Sequence, residues 1–277
     1  NVCADVVVEA RRVTPNVILI VDQSGSMVER FSDSGDRWEV LRDSLLANPD
    51  GLIFELQSIV RFGLALYSAR DGAPMCPEIT SVPPAIDNYD AIADVYNDAD
   101  PIEDTPTGDA IEAVLDEITS TPDPGTDPTV FILATDGEPD RCEDLDPNPT
   151  PEAHDEAVAA TERAFERGIR TFYIDVGNGV GPAHKQDVAN AGVGAGPGDP
   201  DAPFWTVTDD GGLRDALREI VGGELSCELE LEGEIENLDE ACSGTVKLND
   251  EPLPCDDPDG WRAIDEDTIE LQGEACD

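Results

Sequence analysis

The stretch VILIVDQSGSM, Val17 to Met27, decides how the rest of the chain is read. Five apolar residues run unbroken into Asp22, the pattern of a strand buried on both faces of a parallel sheet. Two hydroxyls, Ser24 and Ser26, follow in a turn that contains Gly25. Such a turn aims two oxygens the same way when it wraps something. In parallel sheets the loops converge, and ligands bind, at the carboxyl ends of the strands. Asp22 stands at that end.

Strand and helix patterns alternate from there to about residue 222. DRWEVLRDSLL places Trp38, Leu41 and Leu45 at helical spacing, and SIVRFGLALYSA reads as a longer, partly alternating strand nearer an edge. DAIADVYNDA is a short helix. TGDAIEAVLDEIT is a clearer one, with Ile111, Val114, Leu115 and Ile118 on one face. PTVFILATDG is a second buried strand and ends on Asp136. PEAHDEAVAATERAFERG begins with proline and closes with glycine, as helices prefer. IRTFYIDVG, PAHKQDVANA, FWTVTD and GGLRDALREIVGG complete two more strand–helix units. Alternation of this kind predicts a doubly wound α/β fold with a mostly parallel central sheet flanked by helices. After Gly223 the segments become short and alternating, predicting a small antiparallel β module. The expected division is 1–14 as an N-terminal extension, 15–223 as the α/β domain and 224–277 as the disulfide-containing module.

Charge narrows the partners. Of 277 residues, 16 are basic and 63 acidic, a formal net of −47. A nucleic-acid partner is excluded as an expectation, because a polyanion is repelled and no basic patch exists to release counterions. Anionic membrane surfaces are disfavoured for the same reason, and no apolar run reaches spanning length. The acidity has two readings, a carboxylate surface that collects divalent cations and a solvation device for salty surroundings. Its spread along the whole chain, with lysine only at positions 185 and 247, fits salt adaptation better, and with it a saline bacterial source. Seven cysteines without a C-x-x-C, beside two histidines, argue against structural zinc and for disulfides in an oxidising compartment. The chain starts at Asn1 rather than methionine, and a trimmed leader is the expectation.

Three pieces carry the chemistry: D-x-S-x-S from Asp22, T-x-T-G from Thr105, and T-D-G ending the strand at Asp136. Carboxylate and hydroxyl oxygens are the donors a hard divalent cation takes. In this order, each at the expected end of its element, the pieces resemble the von Willebrand factor type A domain over residues 15–222. In that family the three loops form a metal-ion-dependent adhesion site. The resemblance implies Asp22, Ser24, Ser26, Thr105 and Asp136 as metal-site residues, Thr105 being preferred to Thr107. It implies a divalent cation, magnesium first and calcium or manganese as alternatives. It also implies a mode of action: the hydroxyls bind the ion directly, the aspartates act partly through water, and one position stays open for a partner's Glu or Asp carboxylate. The function so implied is metal-dependent protein capture by a monomeric extracellular or cell-surface domain, not catalysis. The alternatives are a scaffolding protein whose metal only orders loops, and a calcium-dependent extracellular enzyme.

With both loops on the metal-bearing face, Cys76 and Cys142 are expected to bridge at its rim. Type A domains bring their termini together, which implies a Cys3–Cys227 closure; Cys227–Cys276 within the module competes with it. Cys242 and Cys255 flank two strands and their turn and are expected to pair. CDDPDGWRAIDE fits an EF-hand loop at Asp257, Asp259, Gly260 and Glu266 but has Cys255 where an acid belongs, and reads as a turn. Neither serine lies in G-x-S-x-G, and His154 and His184 read as surface residues, so a hydrolase triad is not expected.

Overall fold

Every residue from Asn16 to Asp22 is buried in a strand, β2, the second of the chain after β1 (Ala10–Arg12). The computed structural model describes residues 10–12, 14–120, 128–145, 150–224, 227–231, 233–235, 237–248 and 251–276. The chain divides into two units: Pro15–Gly223, and a smaller one in which residues from Glu224 onward are joined by the N-terminal segment that contains β1.

In the larger unit β2 is followed by α1 (Arg37–Leu46), α2 (Leu52–Leu56), β3 (Arg61–Ser68), β4 (Glu78–Ala85), α3 (Tyr89–Asp98) and α4 (Thr107–Ser120). Then come β5 (Thr129–Thr135), α5 (Pro151–Glu166), β6 (Arg170–Val176), α6 (Pro182–Val193), β7 (Trp205–Val207) and α7 (Asp210–Glu224). The six strands lie in the order β4-β3-β2-β5-β6-β7. All neighbours run parallel except β4, which is antiparallel to β3. Register sets Asp22 opposite Tyr67 and Val21 opposite Ala134, so β2 and β5 end side by side and their next residues open onto the same edge. Side chains alternate across each strand: Ile18, Ile20, Phe131 and Leu133 pack against Ile111, Val114 and Leu115 of α4 and Ala160 and Ala164 of α5. Trp38 of α1 and Tyr96 of α3 stack at 4.2 Å between centroids.

β3 lies one strand in from the edge of the sheet, in keeping with its expected place nearer an edge. This strand is covered by β4 and is buried from Phe62 to Ser68. The covering strand, EITSVPPA, carries Pro83 and Pro84, which do not donate to a ladder and which only an edge strand tolerates, so its composition hid it.

In the smaller unit the strands are β1, β8 (Glu228–Leu231), β9 (Val246–Leu248), β10 (Glu251–Leu253), β11 (Trp261–Ala263) and β12 (Thr268–Leu271). One sheet runs β1-β8-β12-β11, and β9 pairs with β10. Residues 10–12, expected in an extension, pair antiparallel with Leu229–Leu231. Trp261, Ile269, Leu271 and Ala275 form a thin core, supplemented by the disulfides Cys227–Cys276 and Cys242–Cys255. The expected Cys3–Cys227 closure is therefore replaced by Cys227–Cys276; Cys3 lies outside the described residues. Asp257 to Gly260 form a turn, with Gly260 N–H donating to Asp257 O at 3.0 Å, that leads straight into β11.

Candidate metal centre

The turn after β2 is built by its own carboxylate. Ser24 N–H donates to Asp22 Oδ1 at 2.7 Å, an Asx-type bond that folds the chain back on itself. Met27 is fully buried and anchors the single 3₁₀ turn Gly25–Val28, which brings Ser26 beside Ser24. The two hydroxyl oxygens lie 2.9 Å apart, and Ser26 Oγ donates to Asp136 Oδ1 at 2.7 Å. The oxygens of Ser24, Ser26 and Asp136 thus form one hydrogen-bonded chain, to which Asp22 is joined through the Ser24 N–H.

Thr105 approaches from the segment before α4. Its N–H donates to Asp140 Oδ2 at 3.0 Å and its carbonyl accepts from Asp140 N–H at 2.8 Å, which ties it to the loop after β5. A Cβ placed on Gly137 would sit 3.5 Å from Thr105 Oγ1 and 3.6 Å from Ser26 Oγ, so both oxygens border one small space that Gly137 leaves clear. Thr107 behaves differently. Its hydroxyl is 3.1 Å from Tyr67 Oη inside the core. Loop one is further stapled to the Asp100–Glu103 segment through Gln23 O, which accepts from Ile102 N–H at 2.6 Å, and through Gly25 N–H, which donates to Glu103 O at 3.2 Å.

Two buried carboxylates face each other here. Asp22 is 0% and Asp136 2% exposed. Desolvation, and then the charge of Asp136, push the Asp22 carboxyl up to about 7; Thr135 Oγ1, donating at 2.6 Å, pulls the other way. Desolvation also raises Asp136, against the hydrogen bond from Ser26 and the charge of Arg37. The donor set is wholly oxygen, two carboxylates and three hydroxyls, which suits a hard divalent cation and not a thiophilic one. Among the described residues, the one cluster of three Cys, His or acidic ligand atoms is Cys242, Cys255 and Asp256, and its sulfurs are already spent in a disulfide.

Arg37 is the residue that motif reading missed. Its Nη1 lies 2.5 Å from Asp136 Oδ2, 3.2 Å from Ser26 O and 3.0 Å from Glu29 Oε2. It stands at the first turn of α1, in a slot that Gly177 keeps open: at φ +105°, a Cβ there would be 2.5 Å from Arg37 Nε. Gly179 is equally constrained, since a Cβ on it would collide with the Asp136 carbonyl. A second correction concerns the histidines. His184 is 5% exposed and stacks on His154 at 4.1 Å between centroids, while His154 Nε2 is 2.7 Å from Glu138 Oε2. Burial holds His184 down at about 4, so it is a neutral support for the loop after Asp136. The Cys76–Cys142 disulfide closes the rim as expected, and Cys142 N–H donates to Asp109 Oδ2 of α4 at 2.8 Å.

No protein-family model matches the chain, and no curated protein is detectably similar to it in sequence. Solved structures are similar in fold. The SpRpn10 VWA domain superposes with a TM-score of 0.51 at 15% identity, over 75% of this chain and 95% of that one. The fold is of the von Willebrand factor A type. Manganese-loaded TRAP protein of Plasmodium vivax matches this A-type fold with a TM-score of 0.51 at 16% identity, over 78% of this chain and 76% of its own. The PilB minor pilin of Streptococcus sanguinis matches with 0.56 at 13% identity, over 77% of this chain and 61% of the pilin, so the match spans less than two thirds of that protein.

Proposed function

We propose that this chain is a divalent-cation-dependent adhesion domain, acting outside the cell or on its surface, that captures an acidic side chain of a protein partner. The observation that carries the reading is the meeting of Asp22, Ser24, Ser26, Thr105 and Asp136, from three distant segments, around one small oxygen-lined space. A magnesium, calcium or manganese ion held there would offer a coordination position to a partner's carboxylate. The chain's own groups set the electrostatics. Thr135 orients Asp22, and Arg37 takes one oxygen of Asp136, withdrawing negative charge from the side a partner's carboxylate must approach. The three disulfides support an oxidising, extracellular setting, and the likeness to a pilin supports a surface role. We read the domain as a binder and not an enzyme, because its two serine hydroxyls engage each other and Asp136 and no histidine.

Calorimetric titration with magnesium, calcium and manganese chlorides tests it. Wild type is expected to bind at least one of them, and Thr105→Val and Ser26→Ala to lose that binding while keeping the metal-free circular dichroism spectrum. No heat from any of the three ions with wild type overturns the proposal. Asp136→Asn separates adhesion from a purely structural metal: loss of partner capture with an unchanged melting temperature supports adhesion.

A further inference from the structure

We infer that the larger unit carries a second binding site, independent of any metal: a cleft that takes a lysine or arginine side chain of a polypeptide partner. The cleft has a volume of about 660 Å³ and opens between the end of β3, the edge strand β4 and α3, with Gln23 of the first loop as one wall. Ser68 lines it at the end of β3. This residue is 1% exposed, and among the described residues its Oγ has no hydrogen-bond partner. A buried hydroxyl left unpaired is destabilising, so it marks a place where a polar ligand belongs.

The remaining lining says which ligand. Ile79, Val95 and Ile102 give the cleft an apolar wall, and Asp94, Asp98 and Asp100 stand around it. Asp94 and Asp98 are one helical turn apart on α3 and share a face. The single base in the lining, Arg70, is already matched by Glu78 in a bidentate pair at 2.9 and 2.6 Å, so the three aspartates are left as net charge. They are not gathered closely enough to count as a metal cluster. That spacing disfavours a bare divalent ion and suits a long cation, whose alkyl stem lies on the apolar wall while its N–H donors are shared between the Ser68 hydroxyl and the carboxylates. The Cys76–Cys142 bridge fixes the loop bearing Met75, which completes the lining. Anions are disfavoured by the same three charges.

The test uses the full chain in EDTA, so that failure of the metal reading does not touch it. Acetyl-lysine methylamide and acetyl-arginine methylamide are titrated against ¹⁵N-labelled protein, with acetyl-norleucine methylamide as the uncharged control. Saturable shifts centred on Ser68, Val95 and Ile102 are expected with the basic probes and not with the control. The double variant Asp94→Asn/Asp98→Asn is expected to weaken binding at least tenfold, whereas Glu162→Gln/Glu166→Gln on the exposed face of α5 leaves it unchanged. Equal losses in both double variants, or equal shifts with norleucine, overturn the proposal. So does 1,5-diaminopentane binding tenfold more tightly than the lysine probe, which would assign the cleft to free polyamines.

Discussion

Replacing Asp22 by asparagine is expected to stabilise the metal-free protein while abolishing its response to divalent cations. The substitution keeps the shape. The amide oxygen that takes the place of Oδ1 can still accept from Ser24 N–H, now at 2.7 Å. The Thr135 hydroxyl, 2.6 Å from Oδ2, can turn to accept from the new amide nitrogen. What the substitution removes is a buried charge facing Asp136. An Asp22 carboxyl raised from 3.8 to about 7 binds its proton more tightly in the folded state than in the unfolded chain. Folding then takes up a proton between those values, so stability falls as pH rises from about 4 to about 7 and is level above. Three pH units correspond to about 4 kcal/mol, or roughly 8–16 °C in melting temperature for a domain of this size. The assay is differential scanning calorimetry of both proteins in EDTA from pH 4 to 8. The gap between them should open across that window and then stay constant. Magnesium at about 100 times its dissociation constant should add about 2.7 kcal/mol to wild type and nothing to the variant. A variant no more stable than wild type at pH 8, or one that gains equally from magnesium, refutes the reasoning.

Cation affinity measured by calorimetry should fall about tenfold per pH unit below about 7, because a proton then competes for Asp22. Capture of a glutamate-bearing peptide should strengthen as sodium chloride screens the net charge of −47, and EDTA should abolish it; capture that weakens with salt and ignores chelator would contradict this. Serine at both Cys76 and Cys142 opens a bridge spanning 66 residues and should cost up to about 4 kcal/mol in urea unfolding on the chain-entropy account. Lys185→Met should cost about 3–5 kcal/mol, because it strands Asp175, now 2.6 Å from the ammonium and 0% exposed in its side chain; adding Asp175→Asn should restore much of that.

Much of this molecule was legible before any coordinates. Unbroken apolar runs at Val17–Val21 and Val130–Ala134 can only be strands covered on both faces, and helices between them force a parallel sheet whose loops gather at one edge. D-x-S-x-S, T-x-T-G and T-D-G name their residues through the resemblance to the type A motifs, each of which is written in neighbouring positions. What lay beyond reach is everything set by contact across distance. β4 has no place in the strand–helix alternation read along the chain, because its two prolines are tolerated only at an edge, and edge position is a tertiary fact. His184 reads as a surface residue in a polar helix, yet it and Lys185 are buried because α6 turns that face inward, where Lys185 meets Asp175. Arg37 shows the same divide. Its sequence neighbours give no hint of Asp136, and only the side-by-side ending of β2 and β5 brings a helix begun after one strand against the carboxylate that ends the other. Periodicity and turn chemistry depend on near neighbours and can be read along a line; charge pairing and burial depend on which distant segments the sheet order makes adjacent.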